Sequence, residues 1–189
     1  MERDVVIVGD PVLREKAQPV TVFDASVGQL VDDLLQTMCA HKGLGLAAEQ
    51  IGSTAAVCVI DAEGCIRGDE GAELPLGIPH PLVLVNPAIR ELEGTQIGQE
   101  GCLSFPDVYV TIKRGDRVTV DYQDVTGASQ SLVATGLLSR AIQHEIDHLR
   151  GVLFTDRMTP AQKVATAGKV KRLKKRGRAG IRAKADVTV

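Results

Sequence analysis

Tryptophan is absent from this chain of 189 residues, and aromatic residues make up only 3% of it. A core without large rings has to be filled by Val, Leu, Ile and Ala, which the 44% hydrophobic content supplies. Also missing is any apolar run approaching the roughly 20 residues that a membrane-spanning helix requires, so no membrane association is expected. The opening "MERDVVIVGD" carries acidic residues where a secretory leader has an apolar segment, which points to a cytoplasmic protein. Cysteine is sparse. Cys39, Cys58, Cys65 and Cys102 form no CxxC pair and no disulfide framework, so free thiols are expected, with a metal role open for one of them. No repeat interrupts the chain, and 24% charged residues at this length describe one globular domain rather than a disordered or fibrous protein.

What is present is unevenly distributed. The formal net charge of −2 conceals a basic end: residues 161–189 contain ten Lys or Arg and one acid, Asp186. By subtraction, residues 1–160 carry 12 basic and 23 acidic side chains, a net of −11. A division follows into a body over residues 1–160 and a basic C-terminal tail over 161–189, partly helical or disordered. Gly168, Gly177 and Gly180 weaken any helix in the tail. Such a tail is an electrostatic handle for nucleic acid.

Within the body, "DASVGQLVDDLLQTMCAHKG" (24–43) places Val27, Leu30, Val31, Leu34, Leu35 and Met38 on one helical face, with Asp24 or Ser26 as cap and Gly43 as stop. "AAVCVI" (55–60) and "PLVLVNP" (81–87) read as strands, and the Gly- and acid-rich stretch between them as an irregular insertion. Residues 117–136 alternate about a turn at Thr126-Gly127, which predicts a hairpin. A helix follows over 135–151, with Thr135 as possible cap and Gly151 as stop. Leu137, Leu138, Ala141, Ile142, Ile146 and Leu149 cover much of its circumference, so it is expected to be buried. The order of elements predicts a single α+β domain, mostly antiparallel sheet packed around that helix.

The helix carries "HEIDH": His144, Glu145 and His148. Residues four apart lie on one helical face, so both imidazoles can point at one ion, and Glu145 sits near enough to act as a base without being a ligand. Catalytic sites of this kind take three protein ligands and keep a position open. No histidine follows His148, and His41 and His80 lie far upstream, so the third ligand has to be a carboxylate or a cysteine. Cys102 is the strongest candidate, in the exposed-looking turn "QEGCLSFPDV" (99–108). Cys39 and Cys58 fit ordinary burial. The segment "KGLGLAAEQIG" (42–52) adds small residues that allow close backbone approach, and Gln50, an amide donor of the type that stabilises an oxyanion. Glu100, Asp147 and Arg114 are candidates for orienting the ligands through hydrogen bonds, a surface ion pair being the plain alternative.

Together these segments resemble the peptide deformylase family, of bacterial type. Its first motif reads here Gly43-Leu44-Gly45-Leu46-Ala47-Ala48-Glu49-Gln50, its second Glu100 to Ser104, and its third His144 to His148, in the family's order. The resemblance covers about residues 5–160. It implies hydrolytic removal of the formyl group from the N-terminal formylmethionine of nascent polypeptides. It implies Cys102, His144 and His148 as ligands of one divalent metal ion, Fe(II) foremost, with Ni, Co or Zn able to occupy the site. It further implies Glu145 as acid/base, and Gln50 with the Leu103 N–H as oxyanion donors. The substrate would be bordered by Gly43, Leu44, Gly45, Arg140 and Ala141. Arg140 stands where some relatives have an aliphatic residue, and its stem is expected to cover the pocket while its guanidinium reaches solvent. Glu49 occupies the variable position of the first motif and reads as tolerated. An HExxH-type metallopeptidase is the alternative, against which the second motif argues. A monomer working at the ribosome through the basic tail completes the expectation.

Overall fold

The computed structural model describes residues 1–67 and 78–184. Strand β1 (Val5–Val6) is followed by helix α1 (Ala25–Ala40), β2 (Gly45–Ala47), β3 (Val57–Ile60) and the short helix α2 (Ala62–Arg67). Then come β4 (Leu82–Glu93), β5 (Gln96–Glu100), β6 (Val110–Arg114), β7 (Arg117–Gln123) and β8 (Ser129–Thr135). Helices α3 (Gly136–Leu149) and α4 (Pro160–Arg178) and strand β9 (Arg182–Ala183) complete the described order.

Every strand pairing among these elements is antiparallel, as the α+β reading requires. A sheet of order β2-β3-β4-β7-β8 forms the body, and β5-β6 and β1-β9 form two smaller ribbons. The hairpin expected at Thr126-Gly127 is present, with Arg117 opposite Thr135 and Gln123 opposite Ser129. The strand expected at 81–87 runs on to Glu93, because its second half continues to pair with β7 beyond a register shift after Val85. The irregular insertion begins as α2; its stretch 68–77 lies outside the described residues.

Successive strand residues face opposite sides of the sheet, and β3 uses both. Val57 and Val59 join Val27, Val31, Leu34 and Met38 of α1, while Cys58 and Ile60 join Leu138, Ile142, Ile146 and Leu149 of α3. This two-sided burial is why the strand reads as an unbroken apolar run rather than an alternating one. Each Leu or Ile buried in this way contributes about 1.5–3 kcal/mol, so α1 and α3 are held chiefly by packing on the sheet. Helix α1 starts at Asp24, whose side chain accepts from the Ser26 N–H, and stops at His41, before the expected Gly43. Thr135 does occupy the cap position of α3, but its hydroxyl makes no capping bond.

A further cluster lies under α4. It gathers Val6, Val8, Phe105, Val108, Ile112, Leu153, Phe154, Met158 and Leu173, with the rings of Phe105 and Phe154 edge to face at 4.9 Å. The helix begins with a capping box between Thr159 and Gln162 and ends on Lys175, Arg176 and Arg178, cations placed where the helix dipole is negative. It passes straight through Gly168 and Gly177. At Gly177 a side chain would meet the Ile7 carbonyl at 2.6 Å and that of Val8 closer still, so glycine is what lets the helix rest on this backbone. The chain then turns at Gly180 and β9 pairs with β1.

Candidate active site and metal centre

Helix α3 lies with one side on the sheet and turns His144 and His148 toward the segment that follows β5. That segment is less exposed than its Gly, Ser and Pro content suggests. Ser104, Phe105 and Val108 are buried and Cys102 is half-buried, because Phe105 and Val108 belong to the core under α4. The turn is therefore pinned at one end by packing, and the sulfur of Cys102 is held at a fixed place.

The ligating atoms of Cys102, His144 and His148 all lie within 4.8 Å of one another, so the three can hold a metal ion. Cys102 Sγ stands 3.3 Å from His148 Nε2. His144 Nδ1 is engaged with Glu100 Oε2 at 3.1 Å, which leaves Nε2 as its free ligating nitrogen. Burial holds His148 well below the ordinary imidazole range, so its ring is neutral, the form a ligand must take. Burial alone would lower His144 too, but its hydrogen bonds to Cys102 and Glu100 outweigh this and raise it. A proton and an ion thus compete for that ring. One thiolate and two imidazoles suit Fe(II), Co(II), Ni(II) and Zn(II), and three protein donors leave a coordination position open.

Glu100 is the hub beneath Cys102, His144 and His148. Arg114 forks onto it with Nε at 2.8 Å and Nη2 at 2.9 Å, and the Nη1 of Arg114 binds Asp147, which also pairs with Arg157. Glu100, Asp147 and Arg114 are all nearly inaccessible, so the surface ion pair weighed from the sequence is ruled out. Burial opposes the charge on Glu100, yet the bonds from Arg114 and His144 hold its carboxyl well below the usual range. Arg140 corrects the sequence reading. Its guanidinium does not reach solvent but is buried on Glu100 and on the β5-β6 ribbon.

On the other side of the ligands, Glu145 packs its carboxyl against Gly45, where a Cβ would come within 2.5 Å of Oε1. Its Oε2 is buried without a partner among the described residues. Burial pushes Glu145 up to about 7, with His144 and Arg114 pulling against it. The amide of Gln50 is oriented by its own contacts. Oε1 accepts from the Ala47 N–H at 2.9 Å, which turns Nε2 toward Ser104 Oγ at 3.2 Å and Cys102 Sγ at 3.5 Å. The Leu103 N–H makes no hydrogen bond among the described residues.

These groups share one cleft of about 580 Å³. Gly43, Leu44, Gly45, Gln50, Cys102, Leu103, Arg140, Ala141, His144 and Glu145 all border it. His148 lies deeper, behind Cys102. The sequence reading missed the rim, where His41, Lys42, Tyr109, Ala183 and Lys184 stand. Only the pairing of β9 with β1 brings the last two there, and no local pattern announces it. Glu49, at the variable position of the first motif, is fully buried, with both carboxyl oxygens unpartnered among the described residues.

Residues 2–164 match the family model for polypeptide deformylase. A peptide deformylase from Opitutus terrae is 43% identical over 185 residues, covering 95% of this chain and 96% of its own. One from Heliobacterium modesticaldum is 47% identical over 155 residues, covering 82% of this chain and 93% of its own. Among solved structures, the peptide deformylase of Thermus thermophilus superposes with a TM-score of 0.81 at 36% identity, covering 93% of this chain and 99% of that one. That of Synechococcus elongatus, crystallised with actinonin, gives 0.76 at 44% identity, covering 88% and 87%. With its motifs converging on one cleft and its fold shared over nearly its full length, this chain belongs to the peptide deformylase family.

Proposed function

We propose that the protein removes the formyl group from the N-terminal formylmethionine of nascent polypeptides, releasing formate and a free amino terminus. The observation that carries this is the convergence of Cys102, His144, Glu145 and Gln50 on one cleft, with His148 directly behind. Cys102, His144 and His148 are proposed to hold one divalent ion, Fe(II) by the family resemblance, the donor set itself also admitting Co, Ni or Zn. When bound, that ion supplies Lewis acidity toward water and the formyl oxygen and draws the Glu145 proton affinity down.

The chain's own groups do the rest. Glu145 accepts a proton from water as the water oxygen bonds to the formyl carbon. Gln50 Nε2 and the Leu103 N–H donate to the oxygen on which negative charge develops. Glu145 then returns the proton to the nitrogen as the C–N bond breaks, so a neutral amine leaves. Gly43, Leu44, Gly45, Arg140 and Ala141 border the space for the formyl group and methionine side chain. The test is formate release from a formyl-Met tripeptide by Fe(II)-loaded protein handled without oxygen. Formate from the blocked peptide, with no cleavage of internal amides in longer peptides, is expected. Internal cleavage without formate would replace this reading with the metallopeptidase.

The proposed setting is a cytosolic monomer that meets its substrates at the ribosome. Supporting the last point, Lys171, Arg172, Lys174, Lys175, Arg176 and Arg178 of α4 are exposed on an otherwise acidic protein. Removing residues 161–189 would also remove Leu173 from the core, so charge reversal is the cleaner test. Substituting Glu for Lys171, Arg172, Lys175 and Arg176 is expected to weaken ribosome binding at least tenfold and flatten its salt dependence. Unchanged, salt-insensitive affinity in a binding assay would dispose of the ribosome contact.

A further inference from the structure

Arg140 lies one helical turn before His144 on α3, and the sequence suggested only that it walls the substrate pocket. The structure gives its guanidinium other work. Nη1 donates to Glu100 Oε1 at 2.8 Å, to the Ile112 carbonyl at 3.0 Å and to the Gly98 carbonyl at 3.3 Å, and Nη2 donates to Gln96 Oε1 at 3.2 Å. Gly98 and Ile112 are direct partners across β5 and β6, so one guanidinium grips both strands at the same rung. Gly98 has no side chain where a Cβ would approach Nη2 to 3.0 Å, and this opening admits the arginine. Two residues beyond Gly98 comes Glu100, and two beyond that Cys102.

The two proposed sources of ligands are thereby joined. Cys102 follows β5, His144 and His148 ride on α3, and Arg140 bonds from the helix to the strand that delivers the cysteine. Glu100 completes the link. Its Oε1 takes both Arg114 Nε and Arg140 Nη1, while Oε2 takes Arg114 Nη2 and His144 Nδ1. Arg114 approaches from the end of β6 and is itself tied to α3 through Asp147. Arg140 binds the carboxylate directly from that helix, one turn before His144. Carboxylates behind a ligating histidine fix its ring orientation, and their loss typically weakens metal binding by about 10–100-fold.

We infer that Arg140 is a positioning residue for the metal centre, setting the spacing between Cys102 and His144 through Glu100 and the β5-β6 ribbon. This rests on the reading of Cys102, His144 and His148 as the ligand set. A pocket wall and a positioning residue differ in what their loss changes. A wall alters KM for the peptide and leaves the ion alone. The positioning role alters the ion's coordination and retention, and lowers kcat at nearly constant KM.

The test compares the full-length protein with Arg140→Met, which keeps the apolar stem and loses every donor, and Arg140→Lys, which keeps the charge but not the planar fork. Each is loaded with Co(II), whose visible and thiolate charge-transfer absorption reports coordination directly, and ion release to a chelator is timed. Arg140→Met is expected to bind Co(II) about 10–100-fold more weakly, with a changed absorption envelope, and to lose kcat rather than KM. Arg140→Lys is expected to fall between, and decides the matter if Arg140→Met does not fold. Wild-type absorption and retention in the folded variants, with only KM altered, would overturn the positioning role. Failure of the wild-type protein itself to show thiolate-to-Co(II) absorption would instead sink the ligand assignment.

Discussion

Glu145→Gln will keep its metal and release formate from a formyl-Met tripeptide about 100- to 10,000-fold more slowly than the wild type, the range typical for losing a positioned acid/base. Glutamine has nearly the same shape, so the close packing of residue 145 against Gly45 survives. What disappears is the ability to take a proton from water and return it to nitrogen. The assignment requires a carboxyl able to do both near neutral pH. Burial pushes Glu145 up to about 7, and the positive charge of a bound ion beside it favours the ionised form that accepts the first proton. The measurement is single-turnover formate release alongside metal content by elemental analysis. Near-wild-type turnover with full metal occupancy would move the base elsewhere. Lost metal would recast Glu145 as part of the site's structural support.

The HExxH helix and its partners were legible because their chemistry is written in short-range spacing. His144 and His148 share a face by helical period alone, and Cys102 emerged because no later histidine exists to complete the set. The run of apolar residues announced β3 as a strand, but not that both of its faces are buried. Features set by distant neighbours were not legible. The end of a long side chain goes where the fold offers acceptors, and nothing near Arg140 in sequence announces the opening at Gly98, 42 residues away. Gly177 reads as a helix breaker, yet the helix continues because the backbone of Ile7 and Val8 needs that missing side chain. Phe105 and Val108 looked like loop residues beside Pro106 and Asp107, and only a cluster drawn from distant segments, Val6, Val8, Ile112, Leu153, Phe154 and Leu173 among them, puts them inside.

Glu49 stands in the variable position of the first motif, and Glu49→Gln is expected to stabilise the protein increasingly as pH rises. Burial pushes its carboxyl up to about 8, with a smaller contribution from Glu145. The direction follows from linkage. The folded chain holds this proton up to about pH 8, whereas the unfolded chain releases it near 4.5. Between those values the folded state binds more protons, so stability falls as pH rises, and the penalty is complete above pH 8. A shift of this size corresponds to at most about 5 kcal/mol, and water admitted to a buried carboxylate reduces it. Glutamine fills the same volume and cannot ionise. In thermal unfolding of both proteins with the same metal loaded, Tm should coincide near pH 4.5 and separate steadily above pH 5. At about 2–4 °C per kcal/mol for a domain of this size, the full penalty is about 10–20 °C, so by pH 8.5 the variant should melt at least about 5 °C higher. Parallel Tm profiles across that range would mean that the folded protein ionises Glu49 without cost, through a partner or hydration that stabilises its charge. The site would then contain a second permanent negative charge behind Glu145, and the base would have to work against it.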